Sequence, residues 1–575
     1  MQQNEQRKNT EKSSEHTLGR RDFLKGMTVS AAALVGASAL GACASETSGQ
    51  SAGNTFAQTI SWDGEYDVVV VGFGGAGACA ARAAAADGAE VLLIEKAPEG
   101  FEGGNTQFCG QLFVNGNGNV EGTKDYYRAL AGHRSLDESV LDVFAESVAN
   151  IEDIISETLG IEKSEIRSAR TTPEAEYVQL LQSVSLAVNN MCPEYPEYDK
   201  AETISICALH DGISDGYLWQ TMRQRVLELS DRIDIWLASP GKRLIQDPET
   251  KTIIGVQLER KGVLLNIRAR NGVVMTCGGF ENNLEMTRDY LGAEQLAPLG
   301  TPYNTGDGIK MVSEVGADLW HMNVWEGGTQ IFGSVTKAYT EDVEVRGADV
   351  SFIPFAFMAS SAILVGRSGL RYLDEMELGR HGHYYDRATG EWHSLHHAAP
   401  CYVVFDKTDA GIIKVDEMDQ SIVLSTDSIE GLAAAMEVSA ENLTHTITSY
   451  NSYAAAGNDI EFGRRANSMR PFGDGPYYAL KLTAPFLNTQ GGPRKNEKAE
   501  ILNSEGNPIP HLYSAGEFGG ITCNQYQGGG NMAENIIFGQ IAGKSAAAAK
   551  EDILNPYGSS VDSNIVYVLG KETDL

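Results

Sequence analysis

Gly72-Phe-Gly74-Gly-Ala-Gly77 is the stretch that decides the fold of this chain. A β-branched run, 66–71, comes before it and an alanine-rich run, 78–86, comes after it. A second apolar run, 91–94, then leads to Glu95, roughly 20 residues beyond the glycines. Strand, glycine turn, helix, strand and acid in this order predict the first βαβ unit of a dinucleotide-binding domain.

Each part of this unit has a physical task. Gly72 permits the tight turn, Gly74 lets the backbone approach a pyrophosphate, and Gly77 lets the helix pack close to the strand. The helix N-terminus offers amide donors and positive partial charge to phosphates. Glu95 can accept hydrogen bonds from a ribose diol. The alternative interpretation is a glycine-rich turn in an ordinary α/β domain.

Composition limits the possible partners. A chain of 575 residues is too long for one core, so two or more packed units are expected. The net charge of −32 repels nucleic acid phosphates and anionic lipids, and it predicts no nucleic acid partner. The eight cysteines are dispersed singles without CxxC or CxxCH. That spacing argues against a zinc site, an ordinary iron–sulfur ligand set or a c-type haem, and we predict no metal site.

The N-terminus has the features of an export signal. Arg20-Arg21 precedes a weakly apolar stretch, Met27 to Leu40, which resembles a twin-arginine signal and is too short to span a membrane. Leu40-Gly41-Ala42-Cys43 resembles a lipobox, in which Cys43 would carry a lipid. The alternative is ordinary peptidase cleavage, with Cys43 removed or left free. We therefore expect an extracytoplasmic protein, anchored to the membrane if Cys43 is lipidated.

The rest of the chain reads as a divided α/β domain. Helical spacing covers 137–159, and further helices are expected at 218–229 and 531–548. Strands are expected at 233–237, 244–246, 253–258, 264–270 and 272–276. Residues 323–476 are richer in aromatics and irregular sequence, and we interpret them as an inserted domain. The predicted segments are a signal peptide at 1–43, a tether at 44–63, a dinucleotide domain at 64–322 and 477–552, a capping domain at 323–476 and a tail at 553–575.

Further motifs carry a family resemblance. They are Gly103-Gly104-Asn105-Thr106, Thr276-Cys277-Gly278-Gly279-Phe280, Gly306-Asp307-Gly308, Leu512-Tyr513-Ser514-Ala515-Gly516-Glu517 and Gly529-Gly530-Asn531-Met532-Ala533-Glu534. With the first βαβ unit, they resemble the flavoprotein family of soluble fumarate reductases, urocanate reductase and 3-ketosteroid dehydrogenases over most of 65–550. The resemblance implies an α/β fold: a Rossmann-like FAD-binding domain with an inserted α+β capping domain.

The resemblance also implies tightly bound, non-covalent FAD. Glu517 would contact the ribityl chain, and the last helix would aim its N-terminus at the flavin ring, unless that helix packs for structure alone. The residues assigned to FAD are Gly72, Gly74, Gly75, Ala76, Gly77, Glu95, Lys96, Gly103, Gly104, Asn105, Thr106, Thr276, Gly278, Gly279, Asp307, Gly516, Glu517 and Asn531.

The substrate positions depart from those of fumarate reductases. Asn488 stands where those enzymes have a substrate-binding histidine, Gln527 replaces a carboxylate-binding arginine, and Ala410 replaces a proton-donating arginine. Losing bidentate arginine recognition removes the natural way to hold a dicarboxylate, so fumarate is not expected as the substrate.

Tyr526-Gln527-Gly528 is similar to the Tyr-Pro-Gly loop of ketosteroid dehydrogenases, where a tyrosine hydroxyl and a glycine amide bind a ketone. We therefore assign the substrate carbonyl to Tyr526 with the amide of Gly529 or Gly530, and count Gln527 and Asn488 among the substrate-binding residues. The alternative is a structural tyrosine packed on the edge of the flavin.

Proton transfer has several candidates. Glu375 and Arg380 resemble a proton relay of the fumarate reductases, although the spacing differs by one residue, and a plain surface ion pair is the alternative. His381, His383, Tyr384 and Tyr385 are alternative proton donors.

The resemblance implies an exported FAD-dependent oxidoreductase that reduces or forms a C=C bond conjugated to a carbonyl. Reduction is favoured, with an external electron donor such as a c-type cytochrome or a quinol-linked protein. A 3-ketosteroid-type dehydrogenase is the close alternative. A flavin-bearing electron carrier or binding lipoprotein is the non-enzymatic one.

Overall fold

A computed structural model describes most of residues 56–549. The gaps are 169–171, 173, 175–194, 196–197, 211–214, 294–295, 328–358, 376–380, 382, 387–388, 395–399, 419, 421 and 483. The predicted signal at 1–43 with Cys43, residues 44–55 of the tether, the tail at 553–575 and Arg380 therefore lie outside the described residues. No helix within the described ranges combines the length and apolarity needed to cross a membrane.

Helices and strands are interspersed along the described part of the chain. The longer helices are α1 Gly75–Ala86, α2 Val120–Ala131, α3 Glu138–Ala149, α4 Ile151–Leu159, α5 Tyr217–Leu227, α6 Asp307–Glu314, α7 Lys407–Ile413, α8 Ile429–Met436, α9 Ala440–Ala456 and α10 Gly530–Ala548. The strands are β1 Gly64–Val71, β2 Val91–Ile94, β3 Leu112–Asn115, β4 Arg167–Ser168, β5 Ser205–Ala208, β6 Ile233–Trp236, β7 Gly241–Gln246, β8 Ile253–Arg260, β9 Val263–Met275, β10 Leu296–Pro298, β11 Leu319–Trp320, β12 Trp325–Gly327, β13 Ile363–Val365, β14 His383–Asp386, β15 Glu391–Ser394, β16 Cys401–Asp406, β17 Val423–Thr426, β18 Tyr477–Leu482, β19 Ala484–Thr489, β20 Gly492–Pro493, β21 Glu500–Leu502 and β22 Pro508–Ser514.

The main sheet is centred on β1. Its strands run in the order β21-β22-β9-β1-β2-β6, and the β7–β8 hairpin extends it from β9. Strands β22, β9, β1, β2 and β6 are mutually parallel. Val68 and Val70 of β1 face one apolar core, and Val69 and Val71 face another. Both faces are therefore covered, which explains why the strand is a continuous apolar run instead of an alternating one.

The two ends of the described chain meet in this domain. Helix α10 packs along α1, and both small-residue faces allow a close approach. A Cβ added at Gly543 would lie 2.2 Å from the carbonyl oxygen of Ala80, closer than any side chain can fit. The last helix of the chain thus completes the domain that the first βαβ unit begins.

A second sheet lies within the part of the chain expected to form a capping domain. Strands β13, β16, β18 and β17 are antiparallel neighbours in that order, with an apolar core on each face. Strand β18 begins just beyond residue 476, the predicted end of the insertion. The domain division itself stays a prediction.

Two expectations about elements need correction. The helical stretch at 137–159 is two helices, because Asn150 leaves helical geometry (φ −116°, ψ 26°) between α3 and α4. The last two strands expected within 233–276 are one long strand, β9. The expected helix at 218–229 is present as α5.

Candidate active site

A cavity lies at the carboxyl edge of the central sheet. Five parallel strands end at it, and each is followed by lining residues. These residues are Gly72, Gly74, Gly75 and Ala76 after β1; residues 95–97 after β2; residues 239–241 after β6; residues 276–278 after β9; and residues 515–517 after β22. The neighbours of β1 lead away in opposite directions, so this is the topological switch point where α/β sheets bind ligands.

Most residues assigned to FAD from the sequence line this cavity. Those that do are Gly72, Gly74, Gly75, Ala76, Glu95, Lys96, Gly104, Asn105, Thr106, Thr276, Gly278, Asp307, Gly516 and Glu517. Four assigned residues, Gly77, Gly103, Gly279 and Asn531, are not among the lining residues. Gly77 has a packing task instead, since a Cβ there would lie 1.9 Å from the carbonyl oxygen of Gly72.

The glycine turn begins α1 and leaves space on its cavity side. A Cβ added at Gly74 would meet nothing closer than the carbonyl oxygen of Gly103 at 3.5 Å, an ordinary contact. The Gly75 amide donates to the Thr106 hydroxyl at 3.1 Å, which fixes the turn against the following loop. The N-terminus of α1 therefore faces the cavity as an anion-binding end.

Glu95 is held in position by backbone amides. One carboxylate oxygen accepts from the Phe73 amide and the other from the Ala97 amide, both at 2.7 Å. Burial raises the pKa of this carboxyl, and the amide bonds oppose the shift. Glu95 thus ties the glycine turn to the end of β2 at the edge of the cavity.

Lys96 and Asp307 form an ion pair beside Glu95. Lys96 Nζ lies 2.6 Å from both Asp307 Oδ2 and the Thr305 hydroxyl. Burial pushes the pKa of Asp307 upward, but hydrogen bonding and charge from Lys96 outweigh it and hold that pKa below its usual value. The pair connects β2 to the start of α6 across the cavity.

Glu517 lies at the opposite side of the cavity in a cage of amide donors. Its Oε1 accepts from Asn105 and Asn304, each at 3.0 Å, and its Oε2 accepts from Asn488 at 2.8 Å. Burial raises the pKa of Glu517 to about 7. The hydrogen bond from Asn488 lowers this pKa, and the negative charge of Glu326 raises it further. Asn304 was missed from the sequence, although it precedes the assigned Gly306-Asp307-Gly308 motif.

The assigned carbonyl site lies beside the amino end of α10. Tyr526 is buried, and its hydroxyl oxygen accepts from the Asn531 amide at 3.2 Å. Burial raises the pKa of Tyr526 well above its usual value, and the Glu326 charge adds to this. The Tyr526 ring lies against Gly530, where an added Cβ would be 3.4 Å from it. Gly529 is the N-cap of α10.

Two predicted substrate-binding residues have protein partners. Gln527 accepts from the Tyr126 hydroxyl at 2.7 Å, so its side chain is directed toward α2. Asn488 donates to Glu517, while its own Oδ1 is buried and has no hydrogen-bond partner among the described residues. Their roles toward a substrate stay predictions.

Glu375 lies elsewhere. It is fully buried in the second sheet's region, where Arg371 and Arg464 bind its carboxylate at 2.7 and 3.1 Å. The alternative of a surface ion pair is therefore wrong, because no part of this side chain is exposed. None of these partners lines the cavity, and Arg380 lies outside the described residues, so the geometry lends the proposed relay no support.

The alternative proton donors are separated by the structure. The His381 ring lies edge-on to the Tyr526 ring, with centroids 4.9 Å apart, and its Nδ1 is 2.7 Å from Glu326 Oε1. His383 lies against Trp325, and Tyr385 against Trp392. Glu326 was missed from the sequence because it belongs to no motif and reaches this place only through strand pairing.

The described cysteines are free thiols, and Cys277 lines the cavity. Cys79, Cys109, Cys207, Cys401 and Cys523 are buried free thiols, and Cys277 is a half-buried one. Among the described residues, no group of three His, Cys, Asp or Glu side chains is placed to hold a metal ion.

Comparison with known proteins gives one consistent result. The family model of an FAD binding domain matches residues 67–532. Digoxin reductase of Eggerthella lenta is 30% identical over 93% of this chain and 98% of its own length. A probable fumarate reductase, Ifc3 of Shewanella frigidimarina, is 26% identical over 84% of this chain and 74% of its own. The crystal structure of 3-ketosteroid Δ1-dehydrogenase from Sterolibacterium denitrificans has a TM-score of 0.63 at 21% identity, covering 85% of this chain and all of its own.

These matches confirm the predicted α/β fold with an FAD-binding domain, and FAD as the cofactor. The lining residues fit that group, because the glycine turn leaves space at Gly74 and the cavity contains the carboxylates of Glu95 and Glu517. The assignment of Gly74 to the pyrophosphate, Glu95 to a ribose and Glu517 to the ribityl chain stays a prediction.

Proposed function

Since the chain belongs to the FAD-binding domain family, as a match over residues 67–532 shows, we propose that it reduces a carbon–carbon double bond conjugated to a neutral carbonyl. The chain is an FAD-dependent oxidoreductase acting on carbon–carbon bonds, as its relatives are. The neutral carbonyl, the reductive direction and the electron donor are the proposed refinements.

The observation that carries the neutral carbonyl is the chemistry around Tyr526. Its neighbours are the amide-rich amino end of α10 and two acids, Glu326 beside it and Glu517 further along the cavity. Neutral donors suit a carbonyl oxygen that gains negative charge during reduction. Asn488, Gln527 and Ala410 stand where fumarate reductases have the residues that bind and protonate a dicarboxylate, so fumarate is disfavoured as the substrate.

Bound FAD supplies the hydride to the carbon β to the carbonyl. Around it, the chain's own residues position the substrate and stabilise charge. The Tyr526 hydroxyl and the Gly529 amide hold the carbonyl oxygen, and the positive end of α10 favours negative charge nearby. The Gly530 amide is the weaker candidate, because it donates to the Gln527 carbonyl oxygen at 2.9 Å. The burial of Tyr526 strengthens its hydrogen bond by excluding water.

The second candidate is a 3-ketosteroid-type dehydrogenase, which would form the double bond instead. The Tyr526-Gln527-Gly528 sequence favours it, because ketone recognition by tyrosine and a glycine amide serves both directions. A flavin-bearing electron carrier or binding lipoprotein is the non-enzymatic alternative. It differs in predicting no change of flavin oxidation state with any unsaturated carbonyl.

Export and electron supply complete the proposal. Arg20-Arg21 and Cys43 support a folded, flavin-loaded protein that is exported by the twin-arginine pathway and anchored outside the cytoplasm by a lipid. Such a location supports an external donor, a c-type cytochrome or a quinol-linked protein.

The test uses the purified holoenzyme. The flavin is reduced anaerobically, and its absorbance is followed after adding enones, cinnamates, steroids or fumarate. Rapid return of the oxidised spectrum with a neutral enone, and not with fumarate, is the expected result. Return with fumarate alone would overturn the neutral-carbonyl proposal, and no return with any compound would favour a non-enzymatic role.

A further inference from the structure

Glu326 and His381 form a dyad beside the assigned carbonyl site. Their side chains meet at 2.7 Å between Glu326 Oε1 and His381 Nδ1. Glu326 is 6% exposed, and its second oxygen, Oε2, has no hydrogen-bond partner among the described residues. Burial of a carboxylate is costly unless it has a hydrogen-bonding partner, and the His381 imidazole is such a partner for Oε1.

Strand pairing connects Glu326 to a residue of the cavity wall. Glu326 on β12 lies opposite Asn488 on β19. Asn488 donates to Glu517, which lines the cavity. The Glu326 charge is felt both by Glu517 and by Tyr526. Glu326 is thus linked to the cavity wall through Asn488, and His381 is linked to Tyr526 by the contact of their rings.

We propose that His381 is the general acid of this enzyme and that Glu326 is its positioning residue. His381 would deliver the proton to the carbon α to the carbonyl, while Tyr526 holds the carbonyl oxygen. This assignment rests on the proposed function, and it replaces Glu375 and Arg380 as the proton source.

The geometry suits an imidazolium donor. A carboxylate on Nδ1 fixes the ring orientation and stabilises the protonated form, so the transferable proton is carried by Nε2. His381 also has a positive φ of 50°. Such a conformation is uncommon for a residue other than glycine and points to a constraint from function or packing. A quarter of the side chain is exposed, which lets solvent return the proton after each turnover.

Among the residues that the structure describes, the titratable groups seen to face His381 come from two elements. Glu326 faces it from β12, and Tyr526 faces it from the loop before α10. Tyr127 and Cys109 lie behind Tyr526 and influence its hydroxyl. The Glu326 carboxylate is the group among these that favours a positive charge on the ring.

The step balances in atoms and electrons. A hydride from the reduced cofactor forms the new bond to the β carbon, and the C=C π pair moves to give an enolate. The His381 N–H bond breaks, and its proton forms the bond to the α carbon. The substrate gains two electrons and two hydrogens, the cofactor is oxidised, and the neutral imidazole takes a proton from water.

The experiment compares four variants as holoenzymes with one accepted enone. His381→Gln and Glu326→Gln remove the acid and its charged partner, and Glu326→Asp keeps the charge. His393→Gln is the matched control. His393 is a half-exposed histidine on β15, and its Nε2 lies 3.7 Å from the carboxylate of Asp386 on β14. We measure turnover, its pH profile and the FAD content of each variant. The dissociation constant of the enone is obtained from the change that its binding causes in the oxidised flavin spectrum.

Loss of the acid should lower kcat of His381→Gln by about 10²–10⁴-fold, with unchanged FAD content and enone affinity. Glu326→Gln should lower kcat at constant KM, and Glu326→Asp should recover part of it. The wild-type decline of kcat at alkaline pH should disappear in His381→Gln, while His393→Gln should behave as wild type.

Full turnover of His381→Gln, or an unchanged pH profile with equal losses in all dyad variants, would overturn the assignment of the acid. If the wild-type holoenzyme reduces no unsaturated carbonyl, the proposed function itself fails. These two failures are distinct, because the first leaves wild-type activity intact.

Discussion

At the scale of single residues, Tyr526 is the sharpest test of substrate binding. Removing one hydrogen-bond donor from a developing oxyanion costs on the order of a hundredfold in turnover. We expect Tyr526→Phe to lower kcat on an enone by about that factor, with FAD content unchanged. Steady-state kinetics and flavin absorbance check this, and Tyr290→Phe, at a 40% exposed position, is the control.

A Tyr526→Phe enzyme within a few fold of wild type would contradict the assignment. It would show that the carbonyl oxygen is held by another donor, and it would favour a packing role for the Tyr526 ring against the flavin edge.

Glu517 gives a prediction about pH. Its pKa lies at about 7 in the folded protein, against 4.5 for an ordinary glutamate. The folded state therefore binds more protons between these pH values, so its stability falls as pH rises through that window and the loss is complete above the folded pKa. We expect the Tm of flavin-stripped protein to fall from about pH 5 to about pH 8, and to fall less in Glu517→Gln. Thermal unfolding across this pH range checks it; parallel curves would contradict it.

The residues that sequence could and could not reveal differ in how they reach the site. Glu95 and Glu517 each follow a strand of the main sheet and belong to a motif, so their positions at its carboxyl edge could be predicted. Glu326 belongs to no motif. It reaches the site because β12 pairs with β19, a contact with Asn488 far along the chain that local pattern does not encode.

At the scale of elements, the glycine turn at the start of α1 contains one glycine that we assign to cofactor binding, Gly74, and one that folding requires, Gly77. An added Cβ at Gly74 would meet no protein atom closer than 3.5 Å, and Gly74 lines the cavity. An added Cβ at Gly77 would lie 1.9 Å from the carbonyl oxygen of Gly72, so no side chain fits there. We expect Gly74→Leu to fold and to lose FAD, because its side chain would occupy the pyrophosphate position. Gly77→Ala should instead fold poorly, because its Cβ meets the Gly72 carbonyl.

Flavin absorbance, circular dichroism and thermal unfolding of both variants check this contrast. Gly74→Leu with full FAD content would mean that the pyrophosphate binds elsewhere, and a stable, flavin-loaded Gly77→Ala would mean that α1 sits further from β1 than the structure has it.

The observed boundaries of helices and strands match the predicted ones where the hydrophobic pattern and the turn residues indicated the same boundary. Helix α5 and the strands β6 and β8 lie close to their predicted positions, because apolar runs are bounded there by polar turns. The break at Asn150 was missed, because apolar residues continue in helical register on both sides of it and only backbone geometry separates α3 from α4.

At the scale of the whole molecule, export is the open prediction. Arg20→Lys combined with Arg21→Lys should leave the protein in the cytoplasm with its flavin bound, because twin-arginine export recognises the arginine pair and carries folded cargo. Cell fractionation with flavin absorbance checks this. Normal export of the double variant would exclude the twin-arginine assignment.

Lipidation of Cys43 is tested separately. Metabolic labelling with a palmitate analogue should mark the wild-type protein and not Cys43→Ala. Labelling that persists in Cys43→Ala would exclude the lipobox, and absence of labelling in both would favour ordinary peptidase cleavage.

The packing of α10 along α1 has a consequence for biosynthesis. The walls of the cofactor cavity run from Gly72 to Asn535 in the chain, an interval that a ribosome translating ~5–20 residues per second needs roughly half a minute to a minute and a half to complete. When only the first βαβ unit has emerged from the ribosome, the nascent chain has half of the binding site. It also exposes the apolar surface that α10 later covers. Flavin can be captured only after β22 and the start of α10 have been translated, so a chain truncated before β22 leaves the ribosome colourless.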